Sequence, residues 1–132
     1  MSPLKVFIAD DEAPARERMK ELLGDIAAQV PTEVAGEARN GLEALEAVPK
    51  SGARVLLLGM RLPPNYGADY TQAFEAAFRE IAASHKSALV PFIFEDFADR
   101  LEYFQPDRIH PAEAAQPLIL ERVWPALRPL LR

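Results

Sequence analysis

Two short stretches of this chain carry residues whose types and spacing can do chemistry. Near the end, QPDRIHPAEAAQP (105–117) sets Asp107 three residues before His110. At that spacing a carboxylate can orient an imidazole across a tight turn and fix its tautomer for general-base work. Near the start, KVFIADDEAPARERM (5–19) groups Asp10, Asp11 and Glu12 where an apolar strand pattern gives way to a helical one. Oxygens grouped in this way suit a hard cation such as Mg²⁺. Each stretch also has a plainer reading. One of the acids can cap the helix while the others favour its dipole, and an arbitrary D-x-x-H is more often a chance pair in a surface loop.

The elements that must position these residues can be read from apolar periodicity. Residues 4–9 (LKVFIA) form a short β-rich run. From Ala15, the positions Met19, Leu22, Leu23, Ile26 and Val30 repeat at three and four, which predicts a helix with one stripe facing a core. TEVAGEA (32–38) reads as a second strand, with its core at 33–37. NGLEALEAV (40–48) reads as a short helix capped by Asn40, stopped by Pro49 and buried through Leu42, Leu45 and Val48. ARVLLLGM (53–60) is apolar without alternation, as expected of a parallel strand covered on both faces. A third helix follows on the stripe Tyr70, Phe74, Ala77, Phe78 and Ile81, and then a strand at 88–94, with Pro91 better suited to an edge. After a long polar loop comes a last helix through Leu120, Val123, Trp124, Leu127 and Leu131, kinked or divided at Pro125. The order βαβαβαβ-loop-α predicts an α/β domain of doubly wound, flavodoxin-like type. Its parallel sheet would have about four strands in the order 2-1-3-4, between helices on both faces. Both outer strands would leave edges able to recruit a second copy as a homodimer.

Composition narrows the function classes. The chain has 132 residues, 49% hydrophobic and 27% charged, which suits one globular domain. A net charge of −5, with 15 basic residues dispersed among 20 acidic ones, argues against a nucleic-acid surface. The absence of cysteine excludes disulfides and thiolate metal sites, and only His85 and His110 supply imidazole. No apolar run has the length of a signal peptide or membrane span, so a soluble, cytoplasmic protein with no membrane partner is expected.

The head, KVFIADDEAPARERMKELL followed by VAGEARNGLEAL, resembles the receiver domains of response regulators, especially those attached to LytTR-type DNA-binding domains. The resemblance covers about residues 4–48. It implies that Asp10 and Asp11 match an Mg²⁺-holding pair. The position of the phosphate-accepting aspartate falls on Gly59, and the expected hydroxyl residue and Lys-Pro are unmatched. Phosphoryl transfer is therefore expected to be lost. No cofactor is required, although Asp10 and Asp11 retain oxygens for weak Mg²⁺ binding.

The tail, ARVLLLGMRLPPNYGADYTQAFEAAF, LVPFIFE and QPDRIHPAEAAQPLILERVWPAL, resembles the C-terminal part of SGNH (GDSL) hydrolases of the arylesterase and thioesterase I type. This resemblance covers about residues 53–131 and implies that Asp107 and His110 are the acid and base of a Ser-His-Asp triad. Overlaying the head on the family's first strand places Asp11 at the nucleophilic serine, so the serine is missing. Arg108 stands where the family usually has glycine. Ser51, Ser84 and Ser87 are expected near helix-to-strand loops, on the edge opposite the site.

Taken together, the two resemblances give the expectation of a chimera, engineered in the first reading and a decayed natural gene fusion in the second. Residues 1–50 would be receiver-like and 51–132 hydrolase-like within one domain, with neither the serine nor the phosphate acceptor and hence no catalysis. Two other readings remain open at this point: a weak SGNH-type esterase or thioesterase, and a non-phosphorylatable pseudo-receiver acting as an interaction module.

Overall fold

The computed structural model describes residues 2–131. The chain forms two compact units, one up to Arg54 and one from Val55 onward. In the first, strand β1 (Leu4–Ala9) pairs in parallel with β2 (Thr32–Ala38), joined by helix α1 (Ala13–Asp25) and followed by α2 (Gly41–Ser51). Proline in the first turn of α1 needs no partner for its missing N–H. Asn40 caps α2 by accepting from the Glu43 amide at 2.9 Å, and the Glu43 carboxylate accepts from the Arg39 amide at 2.9 Å, in the manner of a capping box. Among the described residues of this unit, Ile8 and Ala38 are the buried apolar ones.

In the second unit, β3 (Leu56–Leu58) pairs in parallel with β4 (Ala88–Val90) across helix α3 (Ala68–His85), and helix α4 (Gln116–Leu127) follows a long turn-rich segment. The core lies just beyond the carboxyl end of β4. Pro91 has no N–H for a ladder, the strand stops, and FIFEDF folds back so that Phe92, Phe94 and Phe97 cluster with Ala115. Phe97 is completely buried. Tyr103 and Phe104 pack onto it, with ring centroids 5.6 and 5.5 Å away. This aromatic cluster is the support of the 103–112 segment.

The structure corrects several expectations. The single four-stranded sheet of order 2-1-3-4 is replaced by two two-stranded parallel sheets, which are the 2-1 and 3-4 ladders of that order. The fold is mixed α/β with small parallel sheets. The strands expected at 53–60 and 88–94 shrink to three residues each, because Pro91 ends one of them and leaves the other only the bonds of Gly59 to Val90 and Ile93 beyond Leu58. Helix α1 ends at Asp25 rather than Val30, and Pro49 lies inside α2 rather than stopping it. Two-stranded sheets also offer narrow faces, so much of the expected stripes stays exposed. Leu42 and Leu45 are 81% and 75% exposed, and Met19, Leu22, Tyr70, Ile81, Leu120 and Trp124 are exposed as well. The division expected at Pro125 falls slightly later, where α4 passes into a 3₁₀ turn at Arg128–Leu131.

Candidate functional site

The tail loop is built by its own backbone. The Arg108 amide donates to the Gln105 carbonyl at 2.8 Å, closing a turn with Pro106 in the second position, where its fixed φ is suited. The Gln105 amide donates to the His110 carbonyl at 2.8 Å and the Ala112 amide to the Tyr103 carbonyl at 2.7 Å. With the Phe104–Pro111 bridge, these bonds make a short antiparallel hairpin. At its tip, Asp107 Oδ1 accepts from the amides of Ile109 at 2.9 Å and His110 at 3.0 Å. The second oxygen, Oδ2, lies 2.6 Å from His110 Nδ1.

That arrangement sets protonation. The His110 ring and the two amides pull the Asp107 carboxyl from its ordinary 3.8 down to about 2. An ionised carboxylate only accepts, so Nδ1 of the neutral imidazole must carry the proton and donate it to Asp107, leaving the Nε2 lone pair free. The His110 side chain is 68% exposed, so a reactant can reach it. The structure thus brings Asp107 and His110 together in the orientation a general base requires.

The head acids are arranged differently. Asp10 Oδ1 accepts from the Glu12 amide at 2.8 Å, and the Asp10 carbonyl accepts from Arg16 Nη1 at 2.8 Å. These bonds lead the chain into α1. Asp11 is exposed, and among the described residues no group of three or more His, Asp or Glu side chains is placed to hold a metal ion.

Comparison with known proteins bears on this chemistry. Esterase TesA of Pseudomonas aeruginosa is 55% identical over 80 residues, 61% of this chain and 40% of that protein. Thioesterase 1/protease 1/lysophospholipase L1 of Escherichia coli is 37% identical over 87 residues, 66% of this chain and 42% of its own length. The crystal structure of TesA superimposes with a TM-score of 0.68 at 30% identity, covering 96% of this chain and 99% of that one. Over part of its length the chain is homologous to TesA-type SGNH/GDSL esterases. It spans about two fifths of the length of the curated relatives it matches. No family model matches the chain. A protein-glutamate methylesterase/protein-glutamine glutaminase of Pyrococcus horikoshii is 36% identical over 66 residues, 17% of its length.

The TesA-type match corrects the expectation of a catalytically inert chimera. Its structural likeness extends over 96% of the chain and so runs through the expected junction between residues 50 and 51, and the esterase reading fits better. The comparisons give no support to a receiver domain over residues 4–48.

The SGNH reading also finds reasons for two departures seen in the sequence. Arg108 has φ +60, the left-handed region that favours glycine, so the glycine usual in the family fits this backbone better than arginine does. Gly59 is required by packing: a Cβ there would lie 2.1 Å from the Pro91 carbonyl oxygen. Its amide donates to the Val90 carbonyl at 2.7 Å, which prolongs the β3–β4 contact by one residue. Of Ser51, Ser84 and Ser87, the first two are occupied at helix ends, where Ser51 Oγ donates to the Val48 carbonyl and Ser84 Oγ to the Glu80 carbonyl, each at 2.7 Å. Ser87 follows α3 just before β4. Sequence reading missed Gln105, whose backbone closes the His110 hairpin. The Gln-Pro-Asp turn signal was its available sign.

Proposed function

We propose that this chain hydrolyses acyl esters, thioesters among them, with Asp107 orienting His110 as general base. The observation that carries the reading is the 2.6 Å contact between Asp107 Oδ2 and His110 Nδ1 at the tip of a hairpin backed by a buried aromatic core. Similarity to Esterase TesA and to Thioesterase 1 supports the substrate class.

The position that the family gives to its serine falls on Asp11 in this sequence, so the nucleophile is water. His110 Nε2 takes a proton from that water as its oxygen attacks the ester carbonyl carbon, and Asp107 stabilises the imidazolium that forms. The same imidazolium then returns the proton to the departing alkoxide or thiolate. Without the covalent step that a serine provides, turnover is slow. The test is hydrolysis of p-nitrophenyl butyrate by the wild type and by His110→Ala. The wild type is expected to exceed the variant by about 10²-fold, the lower end of what a positioned general base contributes. Equal rates would reject the reading.

A further inference from the structure

We propose that Gln105 is a positioning residue for His110, its side-chain carboxamide fixing the backbone that carries the imidazole. The proposal rests on the reading of His110 as the base. From the His110 amide to the Ala112 amide the chain carries four backbone polar groups, and each has a partner. The His110 amide donates to Asp107 Oδ1 at 3.0 Å and the His110 carbonyl accepts from the Gln105 amide at 2.8 Å. The Ala112 amide donates to the Tyr103 carbonyl at 2.7 Å. The fourth group, the Pro111 carbonyl, accepts from Gln105 Nε2 at 3.3 Å. A carbonyl can only accept, which assigns the amide nitrogen rather than the oxygen to that contact.

Gln105 therefore satisfies two of the four groups, one through its backbone and one through its side chain. The remaining freedom of the segment is small: Pro111 fixes its own φ and confines His110 to extended conformations. What proline cannot fix is the rotation that swings the Pro111 carbonyl, and with it the exit of the loop toward Ala112. The carboxamide holds that peptide from its carbonyl side, as the bond from the Ala112 amide to the Tyr103 carbonyl holds it from the other. Because Asp107 Oδ2 must meet Nδ1 at hydrogen-bond distance, small drifts of the His110 backbone loosen the pair.

The test uses two substitutions at this exposed position. Gln105→Glu keeps the shape, removes the donor and sets a negative charge against the carbonyl. Gln105→Lys restores a donor of similar reach. One readout is kcat and KM for p-nitrophenyl butyrate, and the other is the Nδ1–H resonance of His110 by ¹H–¹⁵N NMR. Gln105→Glu is expected to lower kcat about three- to tenfold at unchanged KM, the effect one neutral hydrogen bond supports, and to broaden the Nδ1–H signal. Gln105→Lys is expected to recover both. A Gln105→Glu protein with wild-type kcat and an unchanged signal would overturn the proposal, and so would a Gln105→Lys protein as impaired as Gln105→Glu. If the wild type shows no His110-dependent hydrolysis, the NMR signal alone decides: broadening in Gln105→Glu supports the positioning role although the proposed activity fails, and an unchanged signal overturns it.

Discussion

The head and the tail of this molecule use the same local device to different ends. In both, an aspartate that follows an apolar segment turns back to accept from the amide two residues on, Glu12 for Asp10 and Ile109 for Asp107. The difference lies three residues on. After Asp10 that position is Ala13, the first residue of α1, and the turn serves to start a helix. After Asp107 it is His110, and the second carboxylate oxygen meets the ring. The supports differ too. Behind the tail turn stands an aromatic cluster around Phe97, whereas among the described residues of the head unit the buried apolar ones are Ile8 and Ala38. An acidic turn thus becomes a candidate site when a titratable side chain occupies the third position and a packed core holds the loop still.

The largest effect that would break this contrast comes from the core. Phe97→Ala removes a fully buried ring and is expected to cost about 3–5 kcal/mol. Urea denaturation measures the loss, and the Asp107–His110 contact is expected to be lost in the same variant. Gly59→Ala comes next, at about 1–3 kcal/mol and near the top of that range, because the added methyl meets the Pro91 backbone rather than a side chain that can move. A Gly59→Ala protein as stable as the wild type would show that β3 and β4 are less closely apposed than described.

Smaller effects sharpen the tail itself. Arg108→Gly relieves a left-handed φ and is expected to raise stability by up to about 1 kcal/mol, the strain relief being partly offset by glycine's greater freedom when unfolded. Thermal unfolding reads it. The pH dependence of Asp107 has a definite sign. Its carboxyl is held at about 2 in the folded chain against an ordinary 3.8, so the ionised form favours folding. This contribution is complete above pH 4 and disappears as pH falls toward 2. The difference in melting temperature between wild type and Asp107→Asn should therefore shrink over that window.

Much of this could be seen in the sequence, for identifiable reasons. Strands β1 and β2 and the Asn40 cap were legible because short runs of β-forming residues, capping chemistry and the flanking helix signals agree there. The Asp107–His110 pair was legible because its partners are three residues apart, so one turn decides their geometry. What escaped depends on contacts distant in sequence. Pro91 shortens β4, yet the apolar run ALVPFIF reads equally well as a longer strand until the Phe92–Phe94–Phe97 cluster shows where those rings go. Gly59 looked like a lost acceptor and is a close approach of two backbones, 32 residues apart along the chain. Helix stripes predicted burial for Leu42 and Leu45, and two-stranded sheets leave them in solvent.

The central claim is that the tail turn, and not the head turn, carries the chemistry. Its most direct test is ester hydrolysis by Asp107→Asn and Asp10→Asn, assayed side by side on p-nitrophenyl butyrate. Both substitutions weaken an aspartate turn, and only the first also alters the partner of an imidazole. The account predicts that Asp107→Asn lowers the His110-dependent rate by about tenfold or more, since an amide no longer dictates which ring nitrogen carries the proton. It predicts that Asp10→Asn leaves that rate unchanged. An Asp107→Asn protein as active as the wild type, or an Asp10→Asn protein equally impaired, would contradict it.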